Sequence, residues 1–167
     1  MTESFHLAGA VVEQLKGTPV PDGLRDSRVE REYQLWIGGV IGEQVARLGN
    51  GLVVRLEAER GGVRPVKLLG TSFWPDIAVY DQNEEPLLAI EVKCLTRRNL
   101  PSHVSQPIGQ AFLYREMYHE SIVALVLVEP LEPLEFTEQL LERLSTDHIE
   151  LVAIEAFTAA TREHLDV

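Results

Sequence analysis

The sequence predicts an α/β domain in which a mixed β-sheet is flanked by helices. Three observations predict it: a long helical period that ends at Gly49, a group of three strand-like runs between Leu52 and Leu95, and a closing order of helix, strand, helix and strand. A chain of 167 residues with 45% hydrophobic content supports one sizeable core, so residues 1–167 are expected to form a single domain.

The first element is a short helix over Ser4 to Lys16, with Phe5, Leu7, Val11, Val12 and Leu15 at mostly helical spacing and Gly17-Thr18-Pro19 as its stop. Asp26 or Ser27 can cap the long helix that follows to about Leu48, whose apolar side carries Val29, Tyr33, Trp36, Ile37, Val40, Ile41, Val45 and Leu48, with Gly49 as its stop. Gly38, Gly39 and Gly42 each weaken that helix by about 1 kcal/mol relative to alanine, which implies close packing against them. Strands are expected over Leu52 to Glu59, Phe73 to Tyr80 and Pro86 to Leu95, with a short apolar run at Val66 to Leu69. The turn at Asp81 to Glu85 makes a hairpin of the last two strands. A helix from about Ser105 to Tyr118, a buried strand over Ser121 to Val128, a helix over Pro133 to Leu144, a strand over Ile149 to Ile154 and a terminal helix from Thr158 to Leu165 complete the order.

Formal net charge is −11, from 26 acidic and 15 basic residues, which excludes indiscriminate attraction to nucleic acid through the whole surface. The charge is uneven: Glu129 to Val167 holds 10 acidic and 2 basic side chains, leaving a locally positive groove possible elsewhere. The solitary Cys94 cannot make an internal disulfide or a multi-cysteine metal site, and its place in the strand marks it as a small core residue. No apolar run is long enough to span a membrane and the start lacks a secretory layout, so a cytoplasmic protein is expected. The histidines show no ligand spacing, and Trp36 and Trp74 are expected to fill core or interface space.

The hairpin carries the chemistry. Asp76 interrupts the run from Phe73 to Val79, and Glu91 and Lys93 interrupt the run from Leu87 to Leu95. Ionised groups beside a core are costly unless paired, hydrogen-bonded or metal-bound, and two acids against one base leave a charge to be matched. Strand periodicity puts Glu91 and Lys93 on one face, with Ile90, Val92 and Cys94 on the other. Two hard oxygen ligands suit Mg²⁺ or Mn²⁺, and a lysine beside them can position a water or offset charge at a phosphorus centre. A cross-strand ion-pair cluster that merely holds the hairpin is the alternative.

Pro75-Asp76 followed by Glu91-Val92-Lys93 on an adjacent strand resembles the PD-(D/E)xK signature of the restriction-endonuclease-like superfamily. The likeness spans about residues 30–128 and implies a restriction-endonuclease-like core of αβββαβ order. It implies Asp76, Glu91 and Lys93 as catalytic residues, with Asp76 and Glu91 as metal ligands. It also implies a glutamate ligand on the helix before the sheet, for which Glu43 is chosen and Glu32, about three turns earlier, is the substitute. Gln110 and Tyr114 match a Gln-x-x-x-Tyr pattern of RecB-type members and share a helix face; simple helix packing would also account for them. The iron–sulfur cysteines of some RecB-type relatives are absent.

The activity implied is Mg²⁺- or Mn²⁺-dependent hydrolysis of DNA phosphodiester bonds, with a homodimer expected for cutting two strands. Arg97 and Arg98, directly after the lysine strand, are the leading phosphate-binding candidates, with Arg64, Lys67 and Arg115 behind them. The alternative function is a catalytically inactive nuclease-like fold that binds DNA or assembles with a protein partner through its acidic surface.

Overall fold

The computed structural model describes residues 6–57 and 62–158. Helix α1 (Leu7–Gly17) and helix α2 (Glu30–Leu48) precede strand β1 (Val53–Leu56). A small hairpin of β2 (Val66–Leu68) and β3 (Thr71–Phe73) leads into β4 (Ile77–Tyr80) and β5 (Pro86–Leu95). Helix α3 (Leu100–Tyr114), β6 (Glu120–Leu127), α4 (Glu138–Thr146) and β7 (Ile149–Glu155) follow. The main sheet runs β1-β4-β5-β6-β7, antiparallel across the first two pairings and parallel across the last two. It is the mixed sheet flanked by helices that the sequence predicts.

Even-numbered residues of β5 face α1 and α2: Ile90, Val92 and Cys94 share a core with Val11, Leu15, Ile37 and Ile41. From Ala89 onward the odd-numbered residues face α3 and α4, where Ala89 packs with Tyr114, and Leu95 with Ile108, Ala111 and Leu144. This period of two comes directly from the pleat, and it places Glu91 and Lys93 on the α3 face between Ala89 and Leu95.

The expected strand over Phe73 to Tyr80 is broken. Residues 66–73 form their own hairpin around Leu69 and Gly70, both at positive φ as a two-residue hairpin turn requires. Trp74, Pro75 and Asp76 then cross to the main sheet outside any strand. Proline, which has no N–H to give to a ladder, explains the break.

Helix α2 starts at Glu30 rather than near Ser27. Asp26 is held at φ +61, which interrupts a helix, and the Ser27 hydroxyl binds Glu32 at 2.6 Å and Val29 N at 3.2 Å. Of the three glycines expected to mark close packing, Gly38 does: a Cβ there would lie 3.1 Å from Leu56 Cδ2, whereas one at Gly39 or Gly42 would meet nothing within 4 Å among the described residues.

Helix α3 begins five residues before the expected Ser105. Pro101 sits in its first turn, where a missing N–H costs nothing, and Pro107 lies within it. Helix α4 starts late, at Glu138, where the Thr137 hydroxyl caps Leu140 N. The expected terminal helix lies, beyond Thr158, outside the described residues.

Candidate active site

Strand β4 begins at Ile77, opposite Ile90, so among the described residues the last half of β5 has no antiparallel strand beside it. Extending the register one step sets Asp76 across from Glu91, the closest relation two strands offer to side chains. The N–H groups of Val92 and Cys94 on this open edge would be orphaned, and carboxylates satisfy both. Asp76 Oδ2 accepts from Val92 N at 2.7 Å, and Glu30 Oε2 accepts from Cys94 N at 3.1 Å. The broken strand and the short β4 therefore create the site by freeing a β-edge for acids.

Lys93 Nζ lies at its centre, 3.0 Å from Glu30 Oε1, 3.1 Å from Glu91 Oε1 and 4.0 Å from Asp76 Oδ2. Asp76 is 7% exposed and Glu91 3%, so two of the three acids sit in a core environment. Gln34 Nε2 donates to Asp76 Oδ1 at 2.8 Å. The Tyr114 hydroxyl stands 2.7 Å from Glu91 Oε2 and 2.9 Å from the carbonyl of Trp74, which ties α3 to both sides of the site. Gln110 Nε2 reaches that hydroxyl at 3.5 Å, and its buried Oε1 has no partner among the described residues.

The electrostatics follow from three acids around one base. Burial, reinforced by Glu91, pushes the Asp76 carboxyl up to about 7, against the opposing pull of Lys93 and the Val92 N–H. Burial also raises Glu91, while Lys93 and Tyr114 draw it back. For Lys93 burial acts downward, but Glu91, Asp76 and Glu30 together hold the ammonium above its ordinary range. Cys94 is pushed up to about 12 by burial and the Glu30 charge, so it is a neutral core thiol here, not a nucleophile.

Asp76, Glu91, Lys93, Gln110 and Tyr114 thus come together, and Glu43 does not. Its side chain is 72% exposed and lies 4.0 Å from Arg47, on the solvent side of α2. The helix carboxylate that reaches the cluster is Glu30, with Gln34 one turn later. Glu32, the substitute, is bound to Ser27 instead. A usable signal was present: positions 30, 34, 37 and 41 follow one line along a helix, and that line continues the buried stripe of Ile37 and Ile41, whereas residue 43 falls on the far side.

Arg97 and Arg98 are exposed in the loop after β5, and Arg97 N donates to Glu129 Oε1 at 2.7 Å. Arg115 belongs elsewhere: its guanidinium holds the carbonyls of Asp147 and Tyr118 near the start of β6. Trp74 is not a core residue, being 45% exposed.

Among the described residues no three acid, imidazole or thiol side chains gather as a ready metal site; Lys93 Nζ takes the middle of this one. The donor chemistry nevertheless fits a hard dication. Asp76 and Glu91 supply two carboxylates, the number Mg²⁺ commonly takes alongside water and phosphate, and three acids against one ammonium leave a surplus of negative charge under burial.

No model of a known protein family matches the chain, and no curated protein matches it. Among solved structures it is similar to SfsA of Pyrococcus furiosus in complex with Ca²⁺, at 14% identity and a TM-score of 0.43, over 83% of this chain and 68% of that one. Among the described residues no helix is long and apolar enough to cross a membrane.

Proposed function

We propose that this chain is a divalent-metal-dependent nuclease that hydrolyses DNA phosphodiester bonds, as one domain that works as a homodimer. The observation that carries the reading is the surplus of carboxylate around Lys93, with Asp76 and Glu91 buried and Glu30 half-buried beside them, on an open strand edge. A scaffold would gain stability by losing those charges, because replacing buried ion clusters by apolar residues is often neutral or stabilising.

Asp76 and Glu91 would hold Mg²⁺ or Mn²⁺, with Glu30 the third acid within reach. Such an ion would supply Lewis-acid polarisation of a phosphoryl oxygen and an activated water. The chain's own residues do the positioning. Gln34 and the Val92 N–H fix both oxygens of Asp76, and Tyr114 fixes one oxygen of Glu91. Glu30 anchors Lys93, whose ammonium can then face the negative charge that grows on the phosphoryl oxygens as the bond to the incoming water forms. Arg97 and Arg98 would take flanking phosphates. DNA as the nucleic acid rests on the PD-(D/E)xK resemblance.

The test is incubation of the purified protein with linear, circular, branched and single-stranded DNA and with RNA, with and without Mg²⁺ or Mn²⁺, beside Lys93→Ala and Asp76→Ala. Metal-dependent cutting that both variants lose is the expected result. Intact substrates in every arm, with wild type and variants alike, would favour a binding or assembly module with a nuclease-like site instead.

A further inference from the structure

A second concavity opens beside the site and is not used by the chemistry above. It measures about 450 Å³, within the range of small-ligand sites, and is lined by Arg55, Glu57, Arg64, Trp74 and Glu84 together with residues 62–65 before β2. Trp74 presents its indole there from a fixed backbone, since its carbonyl accepts from the same Tyr114 hydroxyl that contacts Glu91. Only Pro75 separates it from Asp76, so the Cα atoms of the two residues are at most about 7 Å apart.

The opposite wall is equally fixed. Tyr80 and Tyr118, hydroxyls 2.9 Å apart in the core, hold the Arg64 backbone from both sides: Arg64 N donates to Tyr80 and Tyr118 donates to Arg64 O, each at 2.7 Å. Both guanidiniums lie over the Tyr80 ring, Arg55 at 5.0 Å and Arg64 at 5.7 Å. Arg55 is spent on Glu84 at 2.5 Å, while Arg64 makes no ion pair among the described residues.

The charge around this concavity decides what it can take. With Glu57 in the wall and −11 on the whole chain, a phosphate backbone cannot be tracked by charge alone. A neutral aromatic face with Arg64 as the available cation among the described residues suits an unstacked nucleobase and its single phosphate. A base inside a duplex has both faces covered and cannot reach the indole.

We infer that this concavity binds an unpaired nucleotide, its base stacked on Trp74 and its phosphate on Arg64, so that the neighbouring linkage is delivered to Asp76 and Lys93. The substrate of the proposed nuclease is then a single strand, a flap or a frayed end rather than an intact duplex. The inference rests on the nuclease reading for the delivery step alone; the binding step stands by itself.

Binding is therefore measured without metal, in EDTA, with a labelled oligothymidylate and a blunt hairpin duplex, in a Trp36→Phe background that leaves Trp74 as the single indole. The oligothymidylate is expected to quench Trp74 emission and to bind more tightly than the hairpin. Trp74→Ala should weaken that binding about tenfold or more, Trp74→Phe should retain most of it, and Arg64→Ala should weaken it while lowering the salt dependence. Unchanged affinity in Trp74→Ala, or a hairpin bound as tightly as the single strand, would overturn the inference, even if the wild type cuts DNA. Quenching by single strands from a protein that cuts nothing would support this binding site and defeat the nuclease instead.

Discussion

The two ends of the central strands each collect charge, and they treat it in opposite ways. At the start of β6, Glu120 accepts from Ala8 N at 2.9 Å, in the first turn of α1, and lies 3.2 Å from His6 Nδ1, whose ring stacks on His148 at 5.9 Å. One acid there meets a helix N-terminus and an imidazole, and the surrounding concavity is open to water. At the end of β5, three acids meet one ammonium and two of them are buried. The Glu120 carboxylate has the α1 N-terminus and Arg115 to offset it, whereas the β5 cluster keeps a charge deficit, three acids against one ammonium.

Removing Lys93 should sharpen that contrast most. Lys93→Met leaves Asp76, Glu91 and Glu30 with no cation between them, and breaking a buried ion cluster from one side costs about 3–5 kcal/mol. Thermal unfolding without metal at pH 8 should show a large drop in Tm, reversed in part by Mg²⁺ or by acidification to pH 5. A variant as stable as wild type at pH 8 would mean that the acids are already neutral and that the supposed deficit does not exist.

Asp76→Asn should act in the other direction. With its carboxyl at about 7 in the native state, against about 4 in the unfolded chain, Asp76 keeps its proton on folding across a range where the unfolded chain has released it. The native state binds more protons there, so wild-type stability without metal is highest below pH 4 as far as this group is concerned and falls as pH rises to about 7. Glu91, also raised, adds to the same slope. Chemical denaturation of the metal-free protein at a series of pH values should show the decline, and the Asn variant should flatten it and gain about 1–2 kcal/mol at pH 8. Stability that rises between pH 4 and 7 in wild type alone would contradict the charge deficit.

How far the sequence discloses this site depends on which residues can be read locally. Asp76, Glu91 and Lys93 stand out because each breaks an apolar strand run, and a period of two then assigns two of them to one face. Glu30 and Gln34 do not stand out. A glutamate in a helix is ordinary, and choosing among Glu30, Glu32 and Glu43 requires knowing which helical line meets the end of β5. The chemistry of the β5 edge is likewise invisible from composition, because it exists only where β4 stops, and the apolar letters from Phe73 to Tyr80 conceal that stop behind one proline. Pro101 hides the start of α3 for a related reason: it reads as a breaker, although the first turn of a helix accepts a proline.

The helix itself offers the next test. Glu30→Gln, which keeps shape and removes charge from the Lys93 anchor, should lower the proposed cleavage about 10- to 100-fold, the usual effect of losing a group that orients a reactive side chain. Glu43→Gln, on the solvent side of the same helix, should leave single-turnover rates within about twofold. Equal losses in both would separate activity from the cluster geometry altogether.

The smallest effect is expected at the opposite end of the sheet, from Glu120→Gln. The amide oxygen can still accept from Ala8 N, so only the charge is lost, and a charge near a helix N-terminus contributes about 0.3–1 kcal/mol. Denaturant unfolding should therefore shift by less than about 1 kcal/mol, with no change in the proposed cleavage and no response of stability to Mg²⁺ beyond that of wild type. A larger loss, or one that Mg²⁺ restores, would show that this end of the sheet also depends on a cation. The two clusters would then differ in degree of burial rather than in kind, and charge deficit would no longer single out the end of β5.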